Sequence, residues 1–297
     1  MRMKSASAFV AAAIFSVFAA GNDGMTVTLA VSRQSVLPYE PLSLMLLLRN
    51  DATEQKRLTV AWCSHLTIGE ARGAGIQWRG YQGDNEPLPK PCLATAKNLA
   101  PNESKKLLTH IDYEASSGQH VFAEPGKYFL KGGTTDGRFV SDEVQIIVRR
   151  PEGVDAKAYQ FLRTSDLHHF FGEYTIHKYQ YDDKTVQELE KFITDFDGSE
   201  YSYLARMGLA FMCLRGVEGK QDQARAIELL TQVAERAGAP LSSAAEYHLG
   251  KIEYSGGTSM LERQKKVVEG NFHFQRVLDG NSSPYYKYLA QDALRPQ

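Results

Sequence analysis

The spacing of small and aromatic residues in the last third of the chain constrains its fold most. Met207-Gly208 returns as Leu249-Gly250, 42 residues later, and Tyr201-Xaa-Xaa-Leu204-Ala205 returns as Tyr286-Xaa-Xaa-Leu289-Ala290, 85 residues later. Between them, Ala226, Leu230 and Val233 match Gly270, Phe274 and Val277. A period near 40 residues predicts helical pairs that stack on one another and expose a binding surface. Cap chemistry agrees. Ser199 and Asp222 precede two helices, Ser243 with Glu246 and Ser259 with Glu262 read as capping boxes, and Ser283-Pro284 opens the last helix.

The first half has a different texture. Val27, Leu29 and Val31 alternate with other residues, as do Leu42, Leu44, Leu46 and Leu48, and Val144, Ile146 and Val148. Alternation predicts strands with one buried face. Pro38, Pro41, Asn50-Asp51, Pro101-Asn102, Pro125-Gly126 and Gly132-Gly133 supply the turns. The expected fold class is therefore α+β and multidomain. An antiparallel β-sandwich is expected over 25–150 and an all-α domain over 154–297, with a hinge at Pro151-Glu152-Gly153.

Several segments of the first half resemble the immunoglobulin-like domains of bacterial envelope proteins. They are Tyr39-Glu40-Pro41-Leu42 leading a strand that ends at Asn50, then Leu99-Ala100-Pro101-Asn102-Glu103-Ser104, Pro125-Gly126-Lys127-Tyr128-Phe129-Leu130 and Ser141-Asp142-Glu143-Val144. From about residue 185 the chain resembles tetratricopeptide or Sel1-like repeats and helical-repeat periplasmic proteins of the outer-membrane assembly type. That likeness rests on Phe192 to Phe196, Ser199-Glu200-Tyr201 and Ala205 to Gly208. The turns around Gly216-Val217-Glu218-Gly219 and Gly256-Gly257 make each unit longer than the usual repeat of about 34 residues. These resemblances imply architecture and partner binding rather than a reaction.

Arg2 and Lys4 precede an uncharged stretch from Ala6 to Ala20, and Val17-Phe18-Ala19 places small residues at the two positions a signal peptidase reads. Residues 1–19 are thus expected to be a signal peptide cleaved after Ala19, giving a periplasmic or secreted protein. The run is shorter than the roughly 20 apolar residues that span a bilayer, so no membrane span is expected after cleavage. In an oxidising compartment Cys63 and Cys92 are expected to pair, the alternative being two buried free thiols; Cys213 reads as an inert core thiol. The chain holds 34 basic and 35 acidic side chains, so no basic field would attract nucleic acid. Residues 151–297 carry 17 basic and 21 acidic groups, a balance that favours a neutral or basic partner.

Motifs for phosphate binding, serine hydrolysis and zinc-dependent proteolysis are absent from the sequence, and no cofactor is expected. His169, Glu173 and His177 are four residues apart and would share one face of a helix, beside Asp166 and His168, as metal ligands do. Gly172 and Tyr174-Thr175-Ile176 argue against a continuous helix there, which favours hydrogen-bonded structural groups. Trp78 and Tyr81, in a segment stiffened by Pro87, Pro89 and Pro91, could stack on a sugar or a peptide; the other reading has Trp78 plugging the core.

The leading functional expectation is an exported, non-enzymatic protein-binding or scaffolding protein of the cell envelope. The alternatives are an envelope hydrolase or metal-dependent enzyme using the His168–His177 region, and a carbohydrate-binding module using Trp78 and Tyr81. Helical spacing assigns a partner groove to Ser202, Leu209 and Met212, then Tyr247, Lys251 and Tyr254, then Lys287. Two tyrosines beside an ammonium group suit an extended peptide with an acidic or apolar side chain. The competing reading packs both tyrosines against the helix that starts near Ser283.

Overall fold

The computed structural model of the protein describes residues 19–20, 24–60, 65–72, 75–81, 95–113, 119–134, 137–171, 181–216, 220–255 and 260–295. Its strands are β1 (Ala19–Ala20), β2 (Met25–Val31), β3 (Ser35–Val36), β4 (Leu42–Asn50), β5 (Lys56–Val60), β6 (His65–Arg72), β7 (Gly75–Gly80), β8 (Thr95–Leu99), β9 (Ser104–Ile111), β10 (Gly126–Gly133) and β11 (Val144–Val148). Its helices are α1 (Gly153–Leu162), α2 (Asp183–Asp195), α3 (Glu200–Arg215), α4 (Gln223–Arg236), α5 (Leu241–Ser255), α6 (Met260–Asp279) and α7 (Pro284–Ala293). A 3-10 turn at Asp166–Phe170 lies between α1 and α2.

Period-two burial builds the sheets. Leu42, Leu44, Leu46 and Leu48 of β4 are all buried, while the residues between them are not. This leucine strand sits in the middle of the four-stranded sheet β1-β2-β4-β9, so both of its edges are hydrogen-bonded. The five-stranded sheet runs β3-β11-β10-β6-β7, and β5-β8 form a separate pair. Gly132 of β10 lies under Leu46 of β4, where an added Cβ would come within 3.0 Å of the leucine. The strands of the two larger sheets therefore share one apolar core, which also contains Val27, Ile68, Leu130 and Ile146.

This is an α+β arrangement, not an immunoglobulin-like sandwich followed by an all-α repeat domain. The five-stranded sheet is mixed, because β3 pairs in parallel with β11, Ile147 opposite Ser35 and Val148 opposite Val36. The helices do not close a core of their own either, since Leu37 and Tyr39 from the strand half enter the cluster built by α1 to α5. Alternation fixes which face of a strand is buried, but it does not say which strands become neighbours.

The expected repeat array is corrected in the same way. Gly208 and Gly250 look equivalent in sequence but meet different partners. A Cβ on Gly208 would fall 1.8 Å from the carbonyl oxygen of Phe170 in the 3-10 turn, whereas one on Gly250 would meet the Phe274 ring of α6 at 2.6 Å. α3 is buried almost all round from Tyr201 to Cys213, as befits a central helix rather than one member of a stacked row. The recurring spacing recorded helix lengths and caps, not equivalent packing.

Cys213 is a free, buried thiol whose pKa is raised by burial. Cys63 and Cys92 lie outside the described residues. Among the described residues no helix is long and apolar enough to cross a membrane.

Candidate functional site

Where α7 returns across the four-stranded sheet, the layers do not close completely. A cleft of about 220 Å³ remains between β4, β9, α3, α5 and α7. The return is set locally. Ser283 caps α7, Pro284 occupies its first turn, and Tyr285 and Ala290 bury one face. Lys106 of β9 places its ammonium nitrogen 3.4 Å from the centre of the Tyr288 ring, tying sheet to helix.

The apolar floor comes from Leu204, Met207 and Phe211 of α3 with Leu241 and Ala244 of α5, all buried. Tyr247, His248 and Lys251 of α5 form one wall, and Tyr285, Tyr286 and Leu289 of α7 the opposite one. Pro41, Ser43, Leu108 and His110 close the sheet side. The walls are held by ring contacts. His248 meets Phe211 edge-on at 4.8 Å, and Tyr247 lies 5.9 Å from Phe274 and 6.4 Å from Tyr286. Lys251 is exposed, with its nitrogen 5.8 Å from the Tyr247 ring centre. Among the described residues lining the cleft there are one lysine and two histidines, and no carboxylate. Asp112 stands just behind, 3.4 Å from His110.

The sequence-assigned groove is divided by this geometry. Tyr247 and Lys251 line the cleft. Tyr254, one turn further on, is half-buried against Phe274 and does not line it. Ser202, Leu209 and Met212 are corrections: they are 0, 1 and 0 % exposed and belong to the core. Ser202 supports the helix start instead, accepting from Arg206 at 2.9 Å while its backbone N–H donates to Ser199. The reason is the all-round burial of α3, which leaves it no open face. Lys287 is half-buried on α7, outside the lining. Sequence reasoning missed Tyr285, Tyr286 and Leu289, although a pair of tyrosines just behind a Ser-Pro cap was a readable signal. The contribution of Ser43, Leu108 and His110 was not readable, because it depends on which sheet face α7 covers.

On another part of the strand–helix boundary the side chains fill the space. His168 and His169 stack at 4.6 Å and His169 stacks on Tyr113 at 4.5 Å, while His168 meets Tyr39 at 4.4 Å with the rings tilted. His120 meets Tyr113 edge-on at 5.0 Å and accepts a hydrogen bond from the Phe122 backbone. Burial, reinforced by the facing His169, lowers the His168 pKa to about 4. Burial holds His120 well below the usual range, with His168 and His169 adding to the effect. Beside the rings, Arg33 pairs with the buried Glu40 and reaches Glu200 at 3.4 Å, Arg149 reaches Glu200 at 2.8 Å, and Asp155 accepts from the Glu200 N–H at 2.8 Å. These contacts fasten the start of α3 to the strand loops. Glu173 and His177 lie outside the described residues, and no group of three metal-ligating side chains gathers among those described.

The Trp78 and Tyr81 rings part company. Trp78 is 39 % exposed on β7, so it does not plug the core. Its indole crosses Gly69, where a Cβ would come within 3.1 Å of the ring, and the Lys131 nitrogen sits 4.2 Å from its centre. Tyr81 instead packs against the sheet core and donates its hydroxyl hydrogen to the Tyr113 carbonyl at 3.1 Å.

No family profile and no curated protein matches this chain. Among solved structures, the alkylpurine DNA glycosylase AlkC of Pseudomonas fluorescens is similar at 12 % identity and a TM-score of 0.31, over 43 % of this chain and 31 % of that one. A β-glucosidase of Listeria innocua has 11 % identity and a TM-score of 0.29, over 42 % of this chain and 16 % of its own. Spo0M, a sporulation control protein of Bacillus subtilis, has 8 % identity and a TM-score of 0.28, over 48 % and 55 %. Likenesses this slight carry no argument about activity.

Proposed function

We propose that this chain is an exported, non-enzymatic binding protein of the cell envelope, and that the cleft under α7 is where its partner is held. The observation carrying the reading is the chemistry of that cleft: an apolar floor, tyrosines and histidines on the walls, and an exposed ammonium group at Lys251. Pockets that hold ligands combine such apolar surface with a few polar groups that fix orientation. The export part rests on the basic start and apolar stretch of residues 1–19.

Capture from envelope extract tests both parts. The exported protein should begin at Ala20 by mass and should recover a specific partner. Ala244→Phe, which fills the cleft from its floor, should abolish that recovery. Equal recovery by this variant and by the unaltered protein would remove the cleft from consideration, and an uncut N-terminus would remove the export reading.

A further inference from the structure

We infer that the cleft recognises an acidic peptide by taking in a single aromatic side chain, with a neighbouring carboxylate of the peptide meeting Lys251. This rests on the cleft being the binding site, and it adds what binds there. Three observations carry it.

The first is size. About 220 Å³ falls short of the roughly 300–1,000 Å³ that encloses a whole small-molecule ligand, but it exceeds the roughly 150 Å³ that accepts benzene. One ring fits inside, and the rest of the ligand must lie outside along the rim. That is the geometry of a peptide anchor rather than of a metabolite pocket.

The second is wall chemistry. Tyr247, Tyr285 and Tyr286 converge on the cleft, with His248 edge-on to Phe211 beneath them. Offset and edge-to-face aromatic contacts are then available to an incoming ring from more than one side. The buried floor of Leu204, Met207 and Leu241 gives that ring an apolar surface to lie on.

The third is charge. Residues 151–297 are mildly acidic as a whole, yet the charged side chain in the described lining is Lys251, and the carboxylate behind the lining, Asp112, lies against His110. Interactions between exposed charges fade over a Debye length of about 8 Å at physiological salt, so a ligand at the rim meets Lys251 rather than the net charge of the whole half. A carboxylate beside the inserted ring meets Lys251, whereas an ammonium group there meets like charge.

Fluorescence anisotropy with the labelled peptide Gly-Asp-Phe-Asp-Gly, blocked at both ends, tests this on the mature full chain. Replacing its phenylalanine by glycine, or both aspartates by lysine, should each weaken binding about tenfold or more. Lys251→Glu in the protein should weaken the aspartate peptide about tenfold and favour the lysine peptide, while Lys251→Arg keeps the original order. Equal binding of the aspartate and lysine peptides, or no effect of the phenylalanine, would overturn the inference. So would failure of the whole set, and the two readings stay separable. If Ala244→Phe still abolishes partner capture, the cleft stands and only the ligand class is wrong.

Discussion

The histidine–tyrosine joint and the cleft under α7 are both places where helices meet strands, and they end differently. At the joint, Tyr39, Tyr113, His120, His168 and His169 pack ring against ring, and burial lowers the pKa of His120 and His168. Under α7, the tyrosines line a void of about 220 Å³ instead of filling it. Gly208 contributes to the difference. Without a side chain there, the Phe170 carbonyl comes against the backbone of α3 and the 3-10 turn carrying His168 and His169 is drawn in. On the other side α7 does reach β2 and β4, but Tyr285, Tyr286 and Leu289 line the cleft rather than fill it. Similar side chains therefore serve packing in one place and leave room for a ligand in the other.

Breaking the joint should have the largest effect. Arg33→Ala leaves the Glu40 carboxylate, 2 % exposed, without its cation, and should cost about 3–5 kcal/mol in urea unfolding at neutral pH. Gly208→Ala forces a methyl group against the Phe170 carbonyl and should cost about 3 kcal/mol. Gly250→Ala, which meets the Phe274 side-chain ring rather than backbone, should cost less. An equal loss at the two glycines would mean that the tight approach at Gly208 is not what seats the joint.

Acid should separate the regions next. An unfolded histidine takes up a proton near pH 6.5, whereas His168 resists until about 4. The stability it supports is therefore complete above 6.5, is lost as pH falls from 6.5 to about 4, and changes little below that. The loss should be roughly 2–3 kcal/mol. His168→Phe keeps a ring against Tyr39 and should flatten that part of the profile; an unchanged slope would place the acid sensitivity elsewhere. The smallest effect belongs to the cleft. Lys251→Glu is expected to shift unfolding by no more than about 0.5 kcal/mol, since the residue is exposed at a rim. A loss of several kcal/mol would make Lys251 part of the packing and dissolve the contrast.

Local rules in the sequence reached some of these features and not others. Helix starts were readable: the caps at Ser199, Asp222 and Ser283 accept from backbone N–H groups as their residue types require. The leucine alternation of β4 was readable too, because burial on one face imposes period two. Within the site, Tyr247 and Lys251 could be named from helical spacing, since they lie one turn apart on an isolated helix. Ser202, Leu209 and Met212 could not be ruled out from the same spacing. Whether a helix is covered on one side or all round depends on its neighbours, and α3 has neighbours on every side.

By itself the sequence determined the helix starts at Ser199, Asp222 and Ser283, the apolar face of β4, and which residues a turn of helix brings together. These follow from interactions a few residues long: caps, alternation, and the ban on unsatisfied backbone groups. The expected cap at Ser243 falls inside α5, which begins at Leu241. Only the tertiary structure decided that β3 would run parallel to β11, that Leu37 and Tyr39 would enter the helical core, and that α3, α5 and α7 would leave a cleft against β4 and β9. Those outcomes rest on shape and volume matching between segments far apart in the chain. A linear pattern carries the apolar surface to be buried, but not the identity of the surface that will bury it.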